Sequence, residues 1–261
     1  MKGHDKDAPK KPSRTSSSAT RKSPGAKAAA PKKKAKRKKA KPRGYQARRP
    51  TKARRMQAAR IVGELHRLFP VADCALDHRN AFELTAATIL SAQCTDERVN
   101  KVTPALFEAW PTPERMAAAD VEAIEAVIHS TGFFRNKAKN LKGMAQRVHE
   151  VYGGEVPQEM EDLLSLPGVA RKTANVVRGV IWGLADGVVV DTHVGRISTL
   201  LGWTKAKSPV HIEKDLMALH PRDEWISLSH RLILHGRATC IARRPRCDEC
   251  TLRTLCPSSK A

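Results

Sequence analysis

The sequence predicts an all-α protein with a long basic tail in front of it. Three observations carry that prediction. From about Thr51 onward, apolar residues recur every three or four positions, the spacing of one helical face. Only Val188-Val189-Val190 looks strand-like, and it is too short to build a sheet. Between Met1 and Arg55 there is no Leu, Ile, Val, Phe or Trp, so that stretch has nothing to bury against the entropy of ordering it.

About ten helices follow in order. Ile61, Leu65, Leu68 and Phe69 share one face, and Pro70 stops that helix. Phe82, Ala86, Ile89 and Leu90 repeat the spacing, as do Val99, Val102, Leu106 and Trp110. Thr112-Pro113 is a cap followed by Pro at the first helical position. Asp120 opens a helix using Val121, Ile124 and Ile128, ended by Gly132. Ala138, Leu141, Ala145, Val148 and Tyr152 mark a longer one, closed by Gly153-Gly154. Ala174, Val177, Ile181 and Leu184 give another, followed by one over 192–201. Ser208-Pro209 opens a helix using Ile212, Leu216 and Leu219. Asp223 caps the last, with Trp225, Leu228 and Leu232 inward.

The formal charge of +22 is unevenly spread. Residues 1–55 hold 22 Lys/Arg against Asp5 and Asp7, which leaves the remaining body near neutral. The block KKKAKRKKAKPR at 32–43 suits sequence-blind attraction to nucleic acid, weakening with salt. A solubilising role, a protein partner or acidic surface, and a nuclear address are the competing readings of the same charge. No apolar run approaches the roughly 18–20 residues of a membrane span, and no signal-peptide core follows the N-terminus. The expected compartment is the cytoplasm and nucleoid of a bacterium, or the nucleus of a eukaryote. Six Cys, four of them clustered, argue for metal in a reducing compartment over a disulfide framework, with Cys74 and Cys94 as buried thiols.

Two motifs carry chemistry. In LPGVARKTANVV, Pro167-Gly168-Val169-Ala170 makes a tight turn and Arg171 starts a helix. The unpaired N–H groups of such a helix start, with the positive end of its dipole, suit a phosphate. Lys172 stands at that positive end, and partial burial would further lower its proton affinity, so its amine could act as a nucleophile. A plain phosphate contact is the simpler role. Asp191, before Thr192-His193, reads first as an N-cap. The second motif is Cys240-x6-Cys247-x2-Cys250-x5-Cys256. Zinc and iron–sulfur both suit thiolates, but only Cys247 and Cys250 form a zinc-type knuckle, and four Cys within 17 residues can wrap one 4Fe-4S cube.

LPGVARKTANVV, VVVDTHVGR, LILHGRATCIARRPRC and the four-Cys spacing together resemble endonuclease III, the bifunctional glycosylase and abasic-site lyase of the helix-hairpin-helix superfamily. ILSAQCTDERVNKV and TGFFRNKAKNL fit the same family, and the resemblance spans about residues 53–257. It implies a two-lobed fold. A six-helix barrel lobe at 74–184 would contain the hairpin at 159–184. A cluster lobe would combine 53–73 with 185–257, leaving a disordered tail at 1–52 and a short one at 258–261.

The same resemblance makes Lys172 the Schiff-base nucleophile and Asp191 the carboxylate that aids it. It makes Gln93 the residue that fills the gap left by an extruded base, Phe133 an apolar wedge and His193 a pocket residue. Gly168, Ala170 and Arg171 would grip the backbone, and Arg243, Arg244 and Arg246 would meet phosphates from a loop braced by a 4Fe-4S cluster on the four Cys. The partner would be double-stranded DNA with oxidised pyrimidines or abasic sites, bound by a monomer. Two positions depart from the family: Ala170 replaces a frequent second Gly, and Phe133 a frequent Leu. The adenine-specific mismatch glycosylase relative is the main alternative, but it typically lacks a Lys at the position of Lys172 and adds a C-terminal domain. A non-catalytic DNA-binding module is the other.

Overall fold

The computed structural model describes residues 45–47 and 49–260. Eleven α-helices are found among them: α1 (Lys52–Leu68), α2 (Ala81–Leu90), α3 (Asp96–Ala109), α4 (Pro113–Ala118), α5 (Val121–Ile128), α6 (Phe134–Tyr152), α7 (Met160–Leu164), α8 (Arg171–Trp182), α9 (Thr192–Leu200), α10 (Pro209–Leu219) and α11 (Trp225–Ala238). Short 3-10 turns lie at His129–Thr131 and Arg222–Glu224. No strand occurs among the described residues, and Val188 and Val190 are buried without pairing.

Local chemistry sets most of the ends. The hydroxyls of Thr112 and Ser208 accept from Arg115 N and His211 N, each with Pro at the first helical position. Gly153 takes a left-handed φ of 63° at the end of α6, and Gly154 N donates back to Val148 O at 2.9 Å. Three ends differ from expectation. Asp120 precedes α5, but its side chain makes no cap bond. Asp223 falls inside the 3-10 turn, and Glu224 is the residue that flanks α11. The helix before Gly132 stops at Ile128, because the chain tightens into the 3-10 turn before Gly132 reverses it at φ 71°.

Two clusters of buried apolar side chains organise the body. One runs from Leu76 to Val177 and gathers α2 through α8. The other joins Ala58, Ile61, Val62 and Leu65 of α1 to residues 188–252. Ile61 and Leu65 are fully buried, each side chain contributing on the order of 2 kcal/mol. Packing of α2 on α8, α9 on α11 and α1 on both α10 and α11 closes the structure.

The basic tail expected at 1–52 lies mostly outside the described residues. Its last part is engaged, contrary to that boundary. The Tyr45 ring stacks on His211 at 4.0 Å, and its hydroxyl donates to Asp215 Oδ2 at 2.7 Å. Stacking and a phenol hydrogen bond give this polar stretch a foothold that its lack of aliphatic residues hides. Cys74 and Cys94 are only half-buried, and no disulfide forms among the described residues.

Candidate active site

A cleft of about 1310 Å³ lies between residues of the two clusters, with Asp96, Lys172, Asp191, His193, Lys207 and Arg237 among those lining it. Its wall is shaped by two helix starts. At the first, α8 begins after Pro167 and Gly168, whose φ of 78° only Gly takes cheaply. A Cβ on Gly168 would also stand 2.9 Å from Asn140 Cβ on α6, so the turn is pressed against that helix. Ala170 has φ −93° and ψ 170°, ordinary extended backbone, so Ala in place of Gly carries no strain there. It supplies no capping side chain, which leaves the first N–H groups of α8 without a side-chain acceptor.

Lys172 occupies the second position of α8 and is exposed at the cleft. The partial burial expected of it is absent, because the buried part of α8 begins one residue later at Thr173. Arg171 is tied within the protein: its Nε lies 3.6 Å from Glu213 Oε1 on α10, with about half its side chain exposed. Glu213 also accepts from Asn175 Nδ2 at 3.1 Å. Gly187 makes room for this group, since a Cβ there would meet Glu213 Oε1 at 1.9 Å. Nothing in the local sequence announces Glu213 or Gly187, because their partners are remote.

The second helix start is α9. Asp191 Oδ1 accepts from Val194 N at 2.8 Å, the cap that its position before Thr192 suggests. His193 lines the cleft two residues on, with Nδ1 3.5 Å from Arg196. Gly236 of α11 permits that approach, for a Cβ there would come within 2.6 Å of His193 Nδ1. This glycine is another site residue with no local signal.

Gln93 and Phe133 share a property that the sequence does not reveal. They are the two non-glycine residues with left-handed backbone among the described residues, at φ 54° and 49°. For a bulky side chain that conformation is strained and persists only when surroundings enforce it. Gln93 is exposed beside cleft residues Ser91, Cys94 and Thr95. Phe133 is 66% exposed, which removes core packing as its role. The neighbouring Phe134 takes the inward place, 4.4 Å from the His129 ring.

The four clustered Cys are free and half-buried. Cys240, Cys250 and Cys256 pack against the second apolar cluster. Burial pushes the thiols of Cys250 and Cys256 up, backbone hydrogen bonds oppose it, and neighbouring cysteines of the same group add to it, so the sulfurs share one locality. Arg196 donates to Cys240 Sγ at 3.5 Å, and His235 Nε2 lies 3.9 Å from Cys250 Sγ. No group of three or more His, Cys, Asp or Glu among the described residues stands at the spacing of a single-ion site. Arg243, Arg244 and Arg246 are exposed on the loop between Cys240 and Cys247, with Arg246 3.9 Å from Glu249.

Residues 86–222 match the family of HhH-GPD superfamily base excision DNA repair proteins. The chain is 54% identical to endonuclease III of Synechocystis sp., over 82% of this chain and 97% of that protein. It is 48% identical to endonuclease III of Bacillus subtilis, over 72% of this chain and 86% of that one. The chain belongs to the endonuclease III family. A solved covalent intermediate of an endonuclease III with DNA superposes with a TM-score of 0.75 at 44% identity, covering 79% of this chain and 97% of that one. A non-covalent endonuclease III–DNA complex matches equally well. These endonuclease III likenesses favour that family over the adenine-specific alternative. The HhH-GPD match spans Gln93, Phe133, Gly168, Lys172 and Asp191, and the four clustered Cys lie beyond it.

Proposed function

We propose that the protein is a bifunctional DNA glycosylase and abasic-site lyase of base excision repair, acting on oxidised pyrimidines in double-stranded DNA. The observation that carries this reading is the convergence of Lys172 and Asp191, each at the start of its own helix, on one cleft of a chain this close to endonuclease III. DNA crosses the cleft with a backbone phosphate over the open N–H groups of α8. Gln93 and Phe133, both exposed on strained turns, enter the stack as the damaged nucleotide swings out.

Asp191 takes a proton from the Lys172 amine, and Nζ bonds to C1′ as the glycosidic C1′–N bond breaks and the base leaves with the bonding pair. One Nζ proton moves to O4′ as the sugar ring opens at C1′–O4′, which gives a protonated Schiff base. Loss of the now acidic C2′ proton expels the 3′ phosphate by β-elimination, which nicks the strand. With its proton passed to the departing base, Asp191 is again a carboxylate and steadies positive charge on the sugar.

Cys240, Cys247, Cys250 and Cys256 would hold a 4Fe-4S cluster. Four free thiols in one locality, with the Arg196 guanidinium beside Cys240, suit the charge of thiolate ligands. Bound there, the group would brace the loop carrying Arg243, Arg244 and Arg246 against phosphates. Broad absorbance near about 400 nm with iron and sulfide content supports that assignment, and stoichiometric zinc overturns it. No helix among the described residues is long and apolar enough to cross a membrane. Work on DNA puts the enzyme with the chromosome, in the cytoplasm of a bacterium or the nucleus of a eukaryote.

The decisive experiment traps the Schiff base with borohydride on a damaged duplex. The wild-type protein crosslinks, and Lys172→Ala does not. A crosslink retained by Lys172→Ala would refute the nucleophile assignment.

A further inference from the structure

Lys137 is the only lysine buried among the described residues, 4% exposed on the first turn of α6. Its Nζ donates to two backbone carbonyls, Leu90 O and Thr131 O, each at 2.8 Å. No carboxylate stands within ion-pair distance of it among the described residues. Leu90 ends α2 and lies three residues before Gln93. Thr131 ends the 3-10 turn and lies two residues before Phe133.

A buried, unneutralised ammonium is an expensive way to satisfy two carbonyls. Burial pushes its pKa down, with Cys94 beside it acting the other way. Leu90 O belongs to the last turn of α2, where the dipole is negative and carbonyls lack helical partners. One cation therefore joins the two turns that hold the only left-handed non-glycine residues described. An aliphatic side chain would fill the same space without joining anything.

We propose that Lys137 is a positioning residue that fixes the spacing between Gln93 and Phe133, so that both enter the opened duplex together. This inference rests on the function proposed above. Its consequence is selective. Excision of a stacked, paired base needs the full plug. An abasic site, with no base to unstack, needs less of it.

The test compares single-turnover rates of Lys137→Met on a thymine glycol duplex and on a duplex with a preformed abasic site. Base excision is expected to fall about 10²-fold, the scale of a misplacement near 1 Å. Abasic nicking is expected to stay within a factor of a few. In a Gln93→Ala background, Lys137→Met should add little, because both changes remove the same plug. Equal loss on both duplexes, no loss on either, or additivity with Gln93→Ala overturns the proposal. Lys137→Gln, which keeps one donor, replaces the Met variant if that fails to fold, and misfolding of both assigns a merely structural role. Wild-type protein inert on both duplexes would instead sink the function reading.

Discussion

At the residue scale, Asp191 joins an observed helix cap to a proposed catalytic role. Its Oδ1 holds Val194 N, and Asn can accept that bond equally well. Asp191→Asn is therefore expected to melt with wild-type stability yet lose turnover, whereas Asp191→Ala loses turnover and about 1 kcal/mol of stability. Thermal melts beside nicking assays separate the two, and full turnover in the Asn variant would contradict the catalytic role. The cap was legible because it depends on two neighbouring residues. The exposure of Lys172, the burial of Lys137 and the backbone of Phe133 were not, because remote contacts decide them. His220 adds a pH effect. Burial lowers its pKa to about 4, the Glu224 carboxylate opposing, and its Nε2 has no partner. The unfolded chain takes up the proton first, so this part of the stability is full above about pH 6.5 and lost as pH falls toward 4, by roughly 3 kcal/mol at most. Denaturant melts across that window should show His220→Phe with a shallower acid decline; an identical decline would remove His220 as its cause.

At the scale of elements, the hairpin between α7 and α8 separates what its two small residues do. Gly168 needs its left-handed φ and its closeness to Asn140, so Gly168→Ala is expected to lose at least about 1–2 kcal/mol and weaken DNA binding. Ala170 needs neither, so Ala170→Gly should lose about 0.4–1 kcal/mol through a looser unfolded chain and gain no affinity. Calorimetry with binding titrations on duplex DNA checks both, and tighter binding by Ala170→Gly would show that the methyl group obstructs a phosphate. Helix starts at Thr112 and Ser208 were readable because their caps are local. The start of α11 was misread by one residue because a 3-10 turn absorbs Asp223. The close approach of α9 to α11 at Gly236 leaves no trace in either helix's own pattern.

For the whole molecule, the fold class was legible because helical periodicity runs through nearly every segment of the body. The pairing of Lys172 with Asp191 at one cleft was legible only through motif likeness, since periodicity says nothing of which helix starts share a wall. The tail's charge predicts a steep salt dependence of DNA affinity. Removing residues 1–43 should flatten the plot of log affinity against log salt, and an unchanged slope would take the tail out of DNA contact. Where that truncation ends matters. Asp215 accepts both the Tyr45 phenol and the Thr204 hydroxyl, and the Tyr45 ring covers His211. Cutting at residue 50 would therefore strip a brace from α10, two residues from Glu213 and its hold on Arg171. Such a protein would confuse lost electrostatic reach with a loosened α8, whereas a start at Gly44 reports the polycation alone.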